Sequence, residues 1–164
     1  MENSKLKEIQ IIELGMLDYE KALVRQRQMV DERIKERSPD CLLLVEHPPV
    51  VTIGRSGSLN DLHVSKRVLE EKGVALQQVE RGGQATFHGP GQLVAYPIVK
   101  VADKDLHAFL KRLIDTASDV LRSYGLDPQY REGQPGVWVN GAKIASVGLA
   151  VRKWVTYHGI ALNV

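Results

Sequence analysis

The sequence predicts an α+β fold: a single domain with helices packed on a mixed, largely antiparallel sheet. Three observations predict it. Leu106, Phe109, Leu110, Leu113, Ile114, Ala117, Val120 and Leu121 recur at the spacing of one helix face. Val137-Trp138-Val139 and Ala142-Lys143-Ile144-Ala145 flank Asn140-Gly141, a pair that supplies the positive φ values of a two-residue hairpin turn. Other short apolar runs are separated by Gly/Pro clusters, with no internal repeat and no low-complexity linker.

In chain order, Ile9 to Leu14 reads as a first strand. Tyr19, Leu23, Val30 and Ile34 follow Asp18 at helical spacing, predicting a helix over 19–37 that Asp18 caps and Ser38-Pro39 stops. Cys41 to Glu46 is a short, mostly apolar run of the kind found in buried strands, and Pro48-Pro49 breaks it before Val50-Val51-Thr52-Ile53 resumes. A short helix is expected after Ser65, ending near Gly73, with Val74 to Glu80 as the strand behind it. Leu93 to Val99 forms another strand. The long helix starts near Asp105 and ends at Gly125. The Asn-Gly turn sets a register in which Trp138 and Lys143 lie opposite each other, and Trp154 to Val164 is the last strand.

The 164 residues suit one domain spanning 1–164. With 26% charged and 43% hydrophobic residues, the composition lies far from that of disordered chains. A net charge of +2 gives no argument for nucleic acid, although Lys111-Arg112 and Arg152-Lys153 form local basic pairs suited to an acidic partner protein. Cys41 is the single cysteine, so no intrachain disulfide is possible. Met1 to Gln10 lacks the apolar core of a signal peptide, and no apolar run approaches the ~20 residues of a membrane span. The expectation is a cytoplasmic protein that contacts no membrane, with no metal and no cofactor.

Between the strands ending at Glu80 and beginning at Leu93 runs Arg81-Gly82-Gly83-Gln84-Ala85-Thr86-Phe87-His88-Gly89-Pro90-Gly91-Gln92. Four glycines, a proline, an arginine and a histidine in one loop shape backbone for close approach to a ligand. It is no phosphate loop of the Gly-x4-Gly-Lys-Ser/Thr kind, and the strand-then-helix context of a dinucleotide site is absent. Backbone N–H groups at Gly82, Gly83 and Gly89 are candidates for holding an acyl carbonyl oxygen. His88 is read two ways, as a group that positions substrate or moves a proton, or as a structural hydrogen-bonder. Lys143 sits among small and apolar residues, opposite Trp138 and just before Ser146-Val147-Gly148. Partial desolvation there makes it either a usable base or a cation beside a thiolate. Tyr157-His158-Gly159 repeats the aromatic-His-Gly pattern of Phe87-His88-Gly89, so the two corners are expected to line one pocket. Cys41 opens an apolar strand with no basic neighbour in sequence and reads as inert core.

These segments resemble the octanoyltransferases of lipoate biosynthesis. The resemblance rests on Leu44 to Arg55, on the Arg81 to Gln92 signature, on Gly136 to Val139 with Ala142 to Gly148, and on Trp154 to Val164. It implies the fold of lipoate and biotin protein ligase catalytic domains. It also implies transfer of an octanoyl group from acyl carrier protein to a lysine of a lipoyl domain, on a 2-oxoacid dehydrogenase E2 component or the glycine cleavage H protein. Arg81, Gly82, Gly83, Gln84, Ala85, Thr86, Phe87 and His88 would bind the acyl substrate, with Ser146, Val147, Gly148, Gly159, Ile160 and Ala161. Lys143 would lower the pKa of a catalytic cysteine. In the family that cysteine follows a strand ending like Asn163-Val164, and no residue of this sequence matches it. The chain is therefore expected to be a fragment of a longer enzyme, with Ser146 to Val164 exposing apolar surface or pairing with another chain. Two alternatives are a binding relative without turnover and an ATP-dependent lipoate or biotin ligase. Against the ligase, Gly83-Gln84-Ala85-Thr86 offers neither a third consecutive glycine nor a nearby lysine.

Overall fold

The computed structural model describes residues 8–164. Strand β1 (Gln10–Met16) leads into helix α1 (Tyr19–Ile34), strands β2 (Cys41–Glu46) and β3 (Val50–Ile53), a single 3₁₀ turn (Leu59–Asp61) and helix α2 (Lys66–Glu71). Strands β4 (Ala75–Gln78), β5 (Ala85–His88) and β6 (Gln92–Ile98) precede helix α3 (Leu106–Ser123), and β7 (Gly136–Val139), β8 (Ala142–Arg152) and β9 (Val155–Asn163) complete the domain. The α+β expectation holds.

The strands form two sheets, one ordered β1-β2-β6-β9-β8-β7 and a smaller one ordered β4-β3-β5. Among the described residues, only β1–β2 and β3–β4 pair parallel. Each parallel pair is bridged by a crossover containing α1 or α2, since parallel neighbours cannot be joined by a tight turn. Pro48-Pro49 marks the point where the chain leaves one sheet for the other, because proline lacks the N–H that would continue the ladder.

Alternate residues of the central strands divide between two apolar cores. Val94, Tyr96 and Ala161 pack with Tyr19, Leu23 and Val30 of α1. Ala95, Ile160 and Leu162 pack with Ile114, Ala117 and Leu121 of α3. The predicted face of α3 turns inward except at Val120, which is 43% exposed, and Asp105 caps the helix by accepting from Ala108 N. Ser65 caps α2 in the same way through Val68 N.

Four expectations are corrected. Helix α1 ends at Ile34 rather than 37, and the Asp18 side chain caps no N–H, pairing instead with Lys21 at 2.7 Å. The Arg81 to Gln92 segment is not all loop: Ala85–His88 is a strand, paired antiparallel with β3. The basic pairs are largely balanced, by Lys111–Asp115, Arg112–Asp103 and Arg152–Asp31 contacts. Lastly, within the stretch expected to expose apolar surface, Val155 to Ala161 is buried throughout because β9 lies between β6 and β8, and the only exposed large apolar side chains are Trp154 and Val164 at its flanks, at 37% and 93%.

Candidate functional site

Arg81 organises the site. Its guanidinium is buried, with 7% of the residue exposed, and donates only to neutral oxygens. Nη2 reaches Thr52 O and Oγ1, both at 2.8 Å, and Gln84 O at 2.9 Å; Nη1 reaches Gly82 O at 2.9 Å. The arginine thus folds the glycine-rich segment around itself and pins it to β3. Gly82 N donates to Leu149 O at 2.9 Å, tying the same segment to β8. That bond removes the Gly82 N–H from the candidates for holding an acyl oxygen.

Two adjoining cavities meet at this point. An outer cleft of about 800 Å³ is walled by Gly82, Gly83, Gln84 and Ala85 on one side and by Trp138 and Lys143 on the other. An inner chamber of about 20 Å³ is walled by His88, Gly159, Ile160 and Ala161, together with Tyr19, Tyr96 and His158. Arg81, Thr86, Ser146, Val147 and Gly148 line both. The structure therefore gathers thirteen of the fourteen residues named as substrate-binding, and Lys143, around two cavities that share five wall residues. Phe87 is the exception: strand alternation turns it outward, 54% exposed and in neither wall. The two aromatic-His-Gly corners do share a pocket, through their histidines.

Gly148 and Gly159 are direct partners across the β8–β9 ladder. A Cβ on Gly148 would meet Gly82 O at 2.7 Å, and one on Gly159 would strike Ala95 O. Bare backbone at these positions lets the glycine-rich segment approach β8 and β6 approach β9.

Trp138 and Lys143 are cross-strand partners as the Asn-Gly turn requires, with Asn140 and Gly141 at φ 50° and 82°. Lys143 Nζ lies 5.7 Å from the Trp138 ring centroid, and Arg131 Cζ lies 4.0 Å from it. Partial desolvation draws the Lys143 pKa below the ordinary lysine value, and the nearby Arg81 charge adds to the effect.

The chamber floor is a cluster of imidazoles and phenols. His47 Nδ1 donates to Leu17 O at 2.6 Å, so its Nε2 accepts from Tyr96 OH at 2.8 Å. Gln92 Nε2 is spent on Phe87 O and Asn163 Oδ1, so Gln92 Oε1 accepts from His88 Nδ1 at 2.7 Å. That leaves His88 Nε2 facing Thr52 Oγ1 at 3.3 Å. Burial drives the pKa of His88 and of His158 down to about 4, holding both rings neutral near pH 7. A neutral, doubly hydrogen-bonded His88 fits the structural reading of that residue.

Sequence reasoning named none of Tyr19, Thr52 and Tyr96 as site residues. Their only signal was a polar tip within an apolar pattern, as in Val50-Val51-Thr52-Ile53. Cys41 lies away from both cavities, 1% exposed, and burial pushes its thiol up to about 11. Among the described residues no group of three or more His, Cys, Asp or Glu is arranged to hold a metal ion, and no helix is long and apolar enough to cross a membrane.

The family model described as the lipoyl protein ligase A/B catalytic domain matches residues 18–164. The chain belongs to this family. An octanoyltransferase from Nitratidesulfovibrio vulgaris (strain Hildenborough) is 44% identical over 155 residues, covering 93% of this chain and 71% of the relative. One from Syntrophobacter fumaroxidans is also 44% identical, covering 93% and 68%. Among solved structures, a bi-partite lipoate protein ligase from Thermoplasma acidophilum superposes with a TM-score of 0.75 at 22% identity, covering 96% of this chain and 62% of that one. Lipoate-protein ligase A bound with ATP gives 0.73 at 20%, covering 96% and 67%. At such identities the structural likeness establishes the family fold. The nearer sequence relatives are the octanoyltransferases of that family.

Proposed function

We propose that this protein transfers an octanoyl group from the thioester of acyl carrier protein to a lysine amine of a lipoyl domain, in protein lipoylation. What carries the reading is the meeting of Lys143 with the Gly82 to Thr86 and Ser146 to Gly148 walls on one cleft, in a chain 44% identical to octanoyltransferases.

The acyl chain would lie along the cleft past Val147 and Gly148 toward Ile160, with its carbonyl near Lys143. A thiolate attacking the donor thioester expels the phosphopantetheine thiol and takes the acyl group as a new thioester. Attack by the acceptor amine then forms the amide and releases the thiol. Lys143, as an ammonium, would stabilise the thiolate before attack. Cys41 does not serve as that thiol, being remote and held protonated. By the family resemblance, that thiol would belong to a cysteine following a strand that ends like Asn163-Val164.

Mass spectrometry of a lipoyl domain incubated with octanoyl-acyl carrier protein tests this, using the 164-residue chain and a version extended by the corresponding segment of an octanoyltransferase relative. A mass gain of one octanoyl group on the target lysine is expected with the extended version. No gain with either, or a gain only from free octanoate and ATP, would overturn the reading in favour of a binding protein or a ligase.

A further inference from the structure

The outer cleft has a second set of walls, which the segments named as acyl-binding do not supply: Leu106, His107 and Leu110 of α3, the Gly133-Gln134-Pro135 stretch, and Trp138. At about 800 Å³ the cleft has the volume of a site for a drug-sized ligand, well beyond what an octanoyl tail fills. Backbone contacts hold this side in place. Gln129 N donates to Trp138 O at 2.7 Å and Trp138 N to Gln129 O at 2.9 Å, fastening the loop before β7 to that strand. Gln134 N donates to Arg131 O at 3.2 Å, closing a turn whose third residue, Gly133, sits at φ 73°, a conformation glycine adopts freely. Arg131 thereby stands over the Trp138 indole, its Cζ 4.0 Å from the ring centroid, and Lys143 Nζ stands 5.7 Å from the same ring.

The side chains around that indole are donors without acceptors. Arg131 reaches only Gly141 O, at 3.4 Å, and pairs with no carboxylate among the described residues. The charge that acts on Lys143 is the cation of Arg81. Trp138 Nε1 is buried with no partner among the described residues, a costly state for an N–H. No Asp or Glu lines the cleft. Such walls ask a ligand for carbonyl oxygens, and Leu106, Leu110 and Pro135 ask it for methylene groups.

We propose that this part of the outer cleft holds the pantetheine arm of the acyl donor, with the arm lying along Trp138 and Arg131 donating to its second amide carbonyl. The inference rests on the acyl-transfer reading and names the part of the donor that the cleft recognises. From the sulfur outward the arm runs through two methylenes, an amide, two methylenes and a second amide, so it alternates the two chemistries that the walls offer. Its sulfur has to sit at the acyl carbon near Lys143, which brings the amides beside the indole next to it. Arg131 is already stacked on that ring, so it gives up little side-chain freedom on binding.

Calorimetric binding to the 164-residue chain tests this with two thioesters that carry the same acyl group. Octanoyl-N-acetylcysteamine ends after the first amide; octanoyl-pantetheine adds the second. The unmodified chain is expected to bind the pantetheine ester at least about tenfold tighter. Arg131→Ala is expected to cut that ratio to about twofold while leaving the affinity for the shorter ester nearly unchanged, a pattern that general loss of structure would not give. Arg131→Lys, which keeps the charge without the planar fork, should fall between. A crystal structure with octanoyl-pantetheine is expected to place the second amide carbonyl within hydrogen-bond distance of Arg131, and this decides the matter should Arg131→Ala fail to fold. Equal binding of the two esters, a preference that survives Arg131→Ala, or an arm directed away from Trp138 would overturn the proposal. A preference lost in Arg131→Ala, without octanoylation of a lipoyl domain by the extended chain, would leave the arm site standing and remove the transfer reading. Octanoylation with no such preference would do the reverse.

Discussion

Lys143 occupies the space that a side chain at residue 136 would need: a Cβ on Gly136 would meet Lys143 Cε at 2.5 Å, and Ala145 O as well. Gly136 also sits at φ 144°, where side chains are strained. Gly136→Ala is therefore expected to displace the Lys143 stem and to lower kcat for octanoyl transfer by the extended chain about tenfold or more, with a smaller change in KM. Steady-state kinetics check this. Unchanged kcat would mean that the position of Lys143 does not matter.

Lys143→Ala is expected to cut thiol-dependent transfer by at least about a hundredfold, because the thiolate loses its neighbouring cation. The depressed pKa of Lys143 sets a sign on the pH profile. The ammonium is lost at lower pH than for a free lysine, so the alkaline limb of the rate falls early. The iodoacetamide alkylation rate of the active thiol against pH reads this directly, and an identical profile in Lys143→Ala would remove the lysine from the mechanism.

Stability is expected to fall in acid. His88 and His158 titrate near 4 when folded and near 6.5 in model peptides, so the unfolded chain binds more protons across that interval. Their contribution is fully present above about pH 6.5 and is lost as pH falls toward 4, on the order of 3 kcal/mol for each ring. Melting temperature against pH checks this, and His88→Gln should flatten the slope. A Tm that holds level between pH 6.5 and 4 would contradict it.

Cys41 is expected to resist a thiol reagent at pH 8 until the protein unfolds, since its thiol is buried and pushed up to about 11. Cys41→Ala should leave transfer by the extended chain unchanged and cost about 1 kcal/mol of stability for the small void it leaves. Rapid labelling of the folded chain, or loss of transfer in the variant, would count against its core role.

Local chemistry made much of this protein legible in its sequence. The Asn140-Gly141 turn admits one register, and Trp138 and Lys143 stand opposite each other because of it. Asp105, the apolar face behind it and Gly125 bounded α3. What escaped depended on contacts far apart in the chain. Ala85–His88 becomes a strand only because β3 lies beside it, across a second sheet that no local pattern announces. In the sequence Tyr19 is one position of a helical repeat, and its place in the cavity wall depends on His158, 139 positions away. Arg81 has the sequence setting of a ligand contact, yet its side-chain hydrogen bonds go to the carbonyls of its own segment and to Thr52.

The central claim is that the cavities walled by Lys143, by Ser146 to Gly148 and by Ile160 hold the acyl group. A crystal structure of the chain with octanoyl-pantetheine tests it most directly. The predicted result has the thioester carbonyl beside Lys143 and the tail passing Gly148, with Phe87 untouched. An acyl chain lodged elsewhere, such as the groove between Phe109 of α3 and Leu42 of β2, would contradict it.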